Sequence, residues 1–388
     1  MFKAFPWFVV IATVFFALGI ASGSWHSFPY ELVRSTYHYI RPASPPSPPS
    51  PPAPRPQTKL LANPRTWDEE TLLKARVELR NWLVPTINVK SEPMKGSTDF
   101  LATLGQEERV AAERVLSGVR VSIISGEFAE IRGWRWRSLY LQNNGRKLVV
   151  VHQGHAGNPF EGHMIERSLE AGYDVIAMTM PMKDWNAMGR VEVNTWDGKG
   201  ILISPTLHGA FEMIDTGDHH FIGFFVAPVI ASIDVALSAE HYESVAMMGL
   251  SGGGWTTTVT AAADERIGNA ISVAGTLPFF ARQQTKDLGD AEQYDGRFYS
   301  RFGWPMLYEM AVAPKGRNLT LLFNLDDPCC FDEASAGLLA EFAKESAYRI
   351  KIIKNDRHLF NSESILELLA TVVAPDRPDT VRVLRELR

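Results

Sequence analysis

The amino-acid sequence predicts an α/β fold, a mostly parallel sheet covered on both faces by helices. Three observations carry that expectation. Short apolar runs recur along the chain, among them KLVVVH (147–152), SVAMMGL (244–250) and LTLLFNL (319–325). Strands read as unbroken apolar runs when both faces of their sheet are buried. Helical patterns separate these runs, and such alternation implies parallel pairing through helical crossovers. Third, GLSGG (249–253) joins one run to a helix through a turn of small residues.

Composition agrees with a sizeable core. The chain has 388 residues, 45% hydrophobic and 21% charged, with ten Trp, which excludes a disordered chain. Lys+Arg number 39 against 44 Asp+Glu, a net charge of −5. Nucleic acid is therefore not an expected partner, because phosphate contacts need clustered cations. The two cysteines, adjacent at Cys329 and Cys330, rule out a disulfide framework and a four-cysteine zinc site.

The elements follow in order. Phe5–Gly23 is an uncharged, mostly apolar run of 19 residues behind Lys3. A helix of that length spans about 28 Å, close to a bilayer core. The first charges after it are Glu31 and Arg34, an asymmetry that places the N-terminus in the cytoplasm and the rest outside. The run is a signal-anchor, or a cleaved signal peptide with Ala21 and Gly23 as the small residues before the cut. Its length and the spacer behind it favour the anchor. That spacer, RPASPPSPPSPPAPRP (Arg41–Pro56), reads as a polyproline II stalk of roughly 50 Å. Residues 1–23 are thus anchor or signal, 24–58 Pro-rich linker, 59–118 a helical extension and 119–388 the main domain. In the extension, Thr66 and Glu69 form a capping box for a helix through Leu83, and a second helix covers about Gln106–Leu116 before Gly118.

In the main domain, strands are expected at 119–124, 134–141, 147–152, 173–180, 244–250, 269–275, 319–325 and 348–354. Helices are expected at 162–172, about 224–237, from about Gly253, at 333–345 and at 361–372. Two stretches, 181–220 and 277–305, carry Gly, Asp, Trp and His without clear periodicity. They read as loops or a small cap over the carboxyl edge of the sheet, where ligands bind in such folds.

The chemistry centres on Ser251. Gly249-Leu250-Ser251-Gly252-Gly253 is G-x-S-x-G between a strand and a helix. Small neighbours let the Ser251 hydroxyl project above the sheet, and the amide of Gly252, opening a helix, points where an oxyanion would form. Serine becomes a nucleophile only beside a base, which an acid then orients. His358 is the only histidine downstream, in the loop NDRHLF after a strand. Asp326 and Asp327 follow the strand LTLLFNL; Asp327 is preferred, because Pro328 fixes its loop, while Asp356 and Asp332 read as surface charges. The second oxyanion donor is expected from His152-Gln153-Gly154-His155-Ala156-Gly157, with the amide of His155 chosen and Gln153 the alternative.

On the HQGH loop, the GLSGG elbow, LDDP after the next-to-last strand and DRH after the last, the chain resembles the α/β-hydrolase superfamily from about Val119 to Val373. The resemblance implies an eight-stranded, mostly parallel sheet and a Ser251–Asp327–His358 triad. It also departs from the superfamily, for the loop reads HQGH where many lipases have HGGG.

These readings make the chain an extracytoplasmic serine hydrolase, membrane-anchored or secreted if the N-terminal segment is cleaved. Its expected substrate is a small-molecule or glycan ester. A serine peptidase with the same triad and a non-catalytic binding module are the alternatives. No metal or organic cofactor is expected. His152 and His155 read as loop hydrogen-bonders without a carboxylate spaced to join them, and His208, Asp218, His219 and His220 as residues at the site's mouth. Cys329 and Cys330 are either a strained vicinal bridge or two thiols. Asn318-Leu319-Thr320 is a glycosylation sequon that begins a strand and is given no weight.

Overall fold

A computed structural model describes residues 67–370, without 86, 96–98, 103, 129–130, 133, 156, 188–189, 196, 199, 204–207, 283–288, 330, 332–335, 338, 341–342 and 344–345. The apolar run, the Pro-rich stalk, Thr66 and most of the expected helix 333–345 lie outside these residues. Among the described residues no helix is long and apolar enough to cross a membrane.

Among the described residues there are twelve strands: β1 (Asn88–Pro93), β2 (Arg120–Glu127), β3 (Ile131–Arg132), β4 (Arg135–Gln142), β5 (Lys147–His152), β6 (Tyr173–Met178), β7 (Val191–Asn194), β8 (Gly200–Ile203), β9 (Ser244–Leu250), β10 (Ile267–Val273), β11 (Asn318–Asn324) and β12 (Arg349–Ile353). Nine of them form one sheet in the order β1-β2-β4-β6-β5-β9-β10-β11-β12. From β6 to β12 every pair is parallel, whereas β1, β2 and β4 join antiparallel. Among the described residues the expected eight-stranded sheet therefore has nine strands. The extra one, β1, is a polar edge strand paired register for register with β2, from Asn88 opposite Glu127 to Pro93 opposite Ser122.

The helices that cover this sheet are α1 (Glu69–Leu83), α2 (Gln106–Ser117), α3 (Met164–Glu170), α4 (Gly223–Ala239), α5 (Gly252–Ala263), α6 (Trp304–Val312) and α7 (Ser362–Ala370). The cap of α1 is Asp68, whose carboxylate accepts from the Thr71 amide at 2.7 Å, in place of the expected Thr66 capping box. Strand β5 shows why both faces are dry. Leu148 and Val150 pack into one cluster with residues of α1, α4, α5 and α6. Val149 and Val151 pack into the other, with residues of α2, α3 and α7. Successive side chains of a strand point to opposite faces, so one apolar run serves two cores. Each such buried Val or Leu contributes roughly 1.5–3 kcal/mol.

The described part of 59–118, from residue 67 on, does not stand apart as an extension. Leu72, Leu79 and Leu83 of α1 lie in the larger core, and β1 belongs to the main sheet. Buried Arg76 on α1 donates through Nε to the carbonyl of Ala262 at 3.0 Å and through Nη2 to those of Met310 and Ala313. It thus serves free carbonyls at the C-terminal ends of α5 and α6.

The two aperiodic stretches also carry structure. In 181–220, β7 and β8 join β3 in a small antiparallel sheet, and a 3-10 turn covers His208–Met213. The stretch 277–305 folds into short helices at Phe279–Arg282, Ala291–Tyr294 and Gly296–Arg301. Four-residue strands and four- to six-residue helices are too short to set a hydrophobic period.

Candidate active site

Ser251 sits between the end of β9 and the start of α5, with φ 56° and ψ −124°. A side chain other than glycine's holds such a backbone only where the surroundings force it. The forcing is visible. The Ser251 amide donates to the carbonyl of Val273 at 2.8 Å, and its carbonyl accepts from Trp255 at 3.0 Å. The helix then leaves the sheet with almost no clearance: a Cβ on Gly249 would lie 2.1 Å from the Gly253 carbonyl oxygen, and one on Gly253 would lie 2.1 Å from that of His152. Glycine is required at both positions so that β9, α5 and β5 can meet here.

His358 and Asp327 come together from the loops after β12 and β11. The Nδ1 of His358 lies 2.8 Å from Oδ2 and 3.0 Å from Oδ1 of Asp327. A carboxylate only accepts, so Nδ1 carries the proton and Nε2 keeps its lone pair. That Nε2 is buried and has no hydrogen-bond partner among the described residues. The Asp327 side chain is fully buried, and burial would raise its pKa. Hydrogen bonds from His358 and from the Cys329 amide outweigh burial and hold it below the usual carboxylate value. Asp326, one residue earlier, is exposed, as is Asp356; Asp332 lies outside the described residues. Two amides steady the pair. Asn324 donates to Asp327 Oδ2 at 3.3 Å and to the Arg357 carbonyl at 3.1 Å, and Asn355 donates to Asn324 Oδ1 at 3.1 Å. The sign of Asn324 in the sequence was a polar residue closing an apolar strand. Cys329 is disulfide-bonded, and the chain's other cysteine, Cys330, lies outside the described residues.

Ser251 and His358 line one cavity of about 460 Å³ with Gln153, Gly154, His155 and Asp290 among its walls. The loop after β5 closes on the elbow: a Cβ on Gly154 would lie 2.6 Å from the Leu250 carbonyl oxygen and 2.7 Å from the Ser251 Cβ. The amide of Gln153 donates to the Met178 carbonyl at 2.9 Å, which removes it as an oxyanion donor. The amide of Gly154 donates to the Gln153 side chain at 3.1 Å. No acceptor among the described residues takes the amide of His155 or of Gly252.

No family profile and no curated protein sequence matches the chain. Solved structures do. An acetyl xylan esterase from Paenibacillus sp. R4 aligns with a TM-score of 0.50 and 13% identity, over 82% of this chain and 100% of its own. Acetyl xylan esterase 1 from Thermoanaerobacterium sp. JW/SL YS485 aligns at 0.44 and 16% identity, over 81% of this chain and 97% of its own. The chain has the α/β-hydrolase fold.

On this α/β-hydrolase fold the remaining histidines fall into separate environments. Buried His152 lies under the elbow, its Nδ1 donating to the Gln153 carbonyl at 2.9 Å; burial first, then nearby His155, push it down to about 4 against the pull of that bond. His220 donates through Nε2 to Asp295 at 3.0 Å and is also pushed by burial to about 4. Asp218 is exposed and His219 half-buried. His208 instead reaches His155, with Nδ1 and Nε2 3.1 Å apart. The carboxylates that sequence spacing did not supply for His155 are present too: Asp290 at 2.8 Å and Glu292 at 3.3 Å from its Nε2. Burial would lower His155, but these two carboxylates raise it to about 9.

Proposed function

We propose that the chain is a serine hydrolase acting on carboxylic esters. One arrangement carries the reading: Ser251 on a strained elbow shares a cavity with His358, whose far nitrogen is held by Asp327. In the proposed reaction, His358 Nε2 takes the Ser251 proton as Oγ attacks the ester carbonyl. Asp327 keeps the imidazole in the required tautomer and stabilises the imidazolium. The amides of Gly252 and His155 hold the oxyanion, and the imidazolium then protonates the leaving alcohol. Water repeats the sequence to release the acid.

Cavity size and walls favour a short acyl group on a polar alcohol. About 460 Å³ holds a small ligand, and Gln153, Glu161, Lys183, Asp290 and Gln293 supply polar groups around the serine. Acetylated sugars and short acyl esters are the substrates to try first. The deciding experiment is covalent labelling by a fluorophosphonate. Wild-type protein is expected to label at Ser251, and Ser251→Ala to abolish labelling with the melting temperature nearly unchanged. A folded wild-type domain that never labels would sink the reading in favour of a binding module, and cleavage of peptide amides in preference to esters would make it a peptidase.

The location follows from sequence alone: the 19-residue run behind Lys3 and the proline-rich stalk support a membrane-tethered, extracytoplasmic enzyme. Full-length protein is expected to sediment with membranes, and a chain starting at Gln57 to stay in the supernatant. A mature N-terminus at Ser24 would replace the anchor with a cleaved signal.

A further inference from the structure

We propose that His155, His208, Asp290 and Glu292 form a four-ligand site for one divalent transition metal of zinc's class, pinning the loop after β5 to the two cap segments. One potential ligand atom from each residue lies within 4.8 Å of the others. They come from three places: the HQGH loop, the 3-10 turn of the first insertion and the start of the helix Ala291–Tyr294 in the second.

The proton count argues for a cation. His208 Nε2 lies 3.0 Å from the carbonyl of Pro181, which can only accept, so that nitrogen holds the ring proton. Neutral His208 then aims a lone pair from Nδ1 at His155 Nε2, 3.1 Å away, and at Glu292 Oε2, also 3.1 Å away. His155 Nε2 can offer one proton, yet it faces His208 Nδ1, Asp290 Oδ2 and Glu292 Oε1. The Glu292 side chain is fully buried, and its Oε1 meets His155 Nε2 at 3.3 Å without the geometry of a hydrogen bond. Protonating both rings would satisfy the carboxylates, but it would set two N–H groups against each other at 3.1 Å. A central cation satisfies every lone pair at once.

Size, charge and donor type agree. Tetrahedral zinc with bonds near 2.0–2.1 Å keeps its ligand atoms about 3.3 Å apart. Here His155 Nε2 lies 2.8 Å from Asp290 Oδ2, 3.3 Å from Glu292 Oε1 and 3.1 Å from His208 Nδ1, and His208 Nδ1 lies 3.1 Å from Glu292 Oε2 and 3.7 Å from Asp290 Oδ2. Glu292 thus meets the two rings with different oxygens, and with one atom from each residue the set spans up to 4.8 Å, so the carboxylates close in on the ion when it binds. Once the metal has displaced the proton from His155 Nε2 to solvent, two neutral imidazoles and two carboxylates carry a charge of −2, which a divalent ion cancels. Mixed nitrogen and oxygen donors suit zinc, cobalt or nickel better than calcium or magnesium. The Pro181 carbonyl on His208 is the outer support that metal-bound histidines need.

Four protein ligands leave no open position, so the ion is structural and takes no part as a Lewis acid. Its effect falls on geometry. The His155 ring packs against Gly252, close enough that a Cβ there would lie 2.7 Å from Cε1, and the His155 amide is the second oxyanion donor of the proposed reaction. The metal site itself does not rest on that reaction, and its test reads metal, not turnover.

The full-length protein is stripped with dipicolinate, desalted and titrated with zinc. The expected result is one equivalent retained through desalting, measured by mass spectrometry, and a melting temperature several degrees above the stripped form. Cobalt in place of zinc should give the strong visible absorption of a tetrahedral centre. Asp290→Asn, at the half-exposed ligand, should fold normally when stripped and weaken zinc at least tenfold. Glu292→Gln should do the same more severely; should it fail to fold, Asp290→Asn and cobalt still decide. No retained metal and no thermal shift with zinc, cobalt or nickel would overturn the proposal and leave a histidine–carboxylate ion-pair cluster. Zinc held equally by wild type and Asp290→Asn would overturn it too.

Discussion

Asp326 and Asp327 differ by one position in the chain and by everything around them. Asp327 is buried, bound to His358 and to the Cys329 amide, and kept charged; Asp326 faces water. Asp327→Asn should lower kcat by about three to four orders of magnitude with little change in KM, because the imidazole loses the partner that sets its tautomer. Asp326→Asn should stay within a few-fold of wild type, and steady-state kinetics on one ester will compare them. Reversed effects would move the proposed acid by one residue. At this scale much of the site was legible: the small-residue turn, the lone downstream histidine and the carboxylates after an apolar strand all announce themselves locally. The histidine–carboxylate cluster did not. His208 lies 53 positions beyond His155, and Glu292 a further 84, so no spacing rule links them; only the folding of two aperiodic segments does.

Among the elements, those with a dry environment on both faces were read best. Strands β5 and β9 run over the residues that the apolar runs mark, since a doubly buried strand has no polar positions to blur its ends. Strand β1 escaped for the opposite reason: NVKSEP is exposed along nearly its whole length, and pairing with β2 alone makes it a strand. The joint between α1, α5 and α6 was equally hidden, because it is made by arginines. Arg317 donates to the carbonyls of Ala261 at 2.6 Å and Asp264 at 3.0 Å, and shares those of Met310 and Ala313 with Arg76. Replacing Arg76 with Met keeps the stem but strips donors from buried carbonyls, and should cost about 2–3 kcal/mol in urea denaturation. An unchanged midpoint would mean that Arg317 alone suffices.

Stability of the whole molecule should fall as pH drops below about 6. Burial holds His152 and His220 down to about 4 in the folded protein, against 6.5 for an ordinary histidine. As pH drops from about 6.5 towards 4, the unfolded chain takes up these protons first, and folding is disfavoured progressively across that window. Above about 6.5 both states are neutral at these positions and the contribution is constant. His155, held up to about 9, works the other way but only above about 6.5, so urea unfolding at pH 6, 5.5 and 5 should show a steady decline, with a shallower slope in His220→Asn. A slope that this substitution leaves unchanged would exclude His220 as a source.

The arginine joint also bears on the order in which the chain is made. Arg76 leaves the ribosome well before its acceptors, which lie 186, 234 and 237 positions later. At 5–20 residues per second, the wait is on the order of ten to fifty seconds. Helix α4 can cover part of the apolar stripe Leu72–Leu79–Leu83 before then, but α6 cannot, so the seat of α1 closes only after residue 313 has emerged, and a nascent chain that stalls earlier presents the uncovered part of that stripe to whatever is nearby.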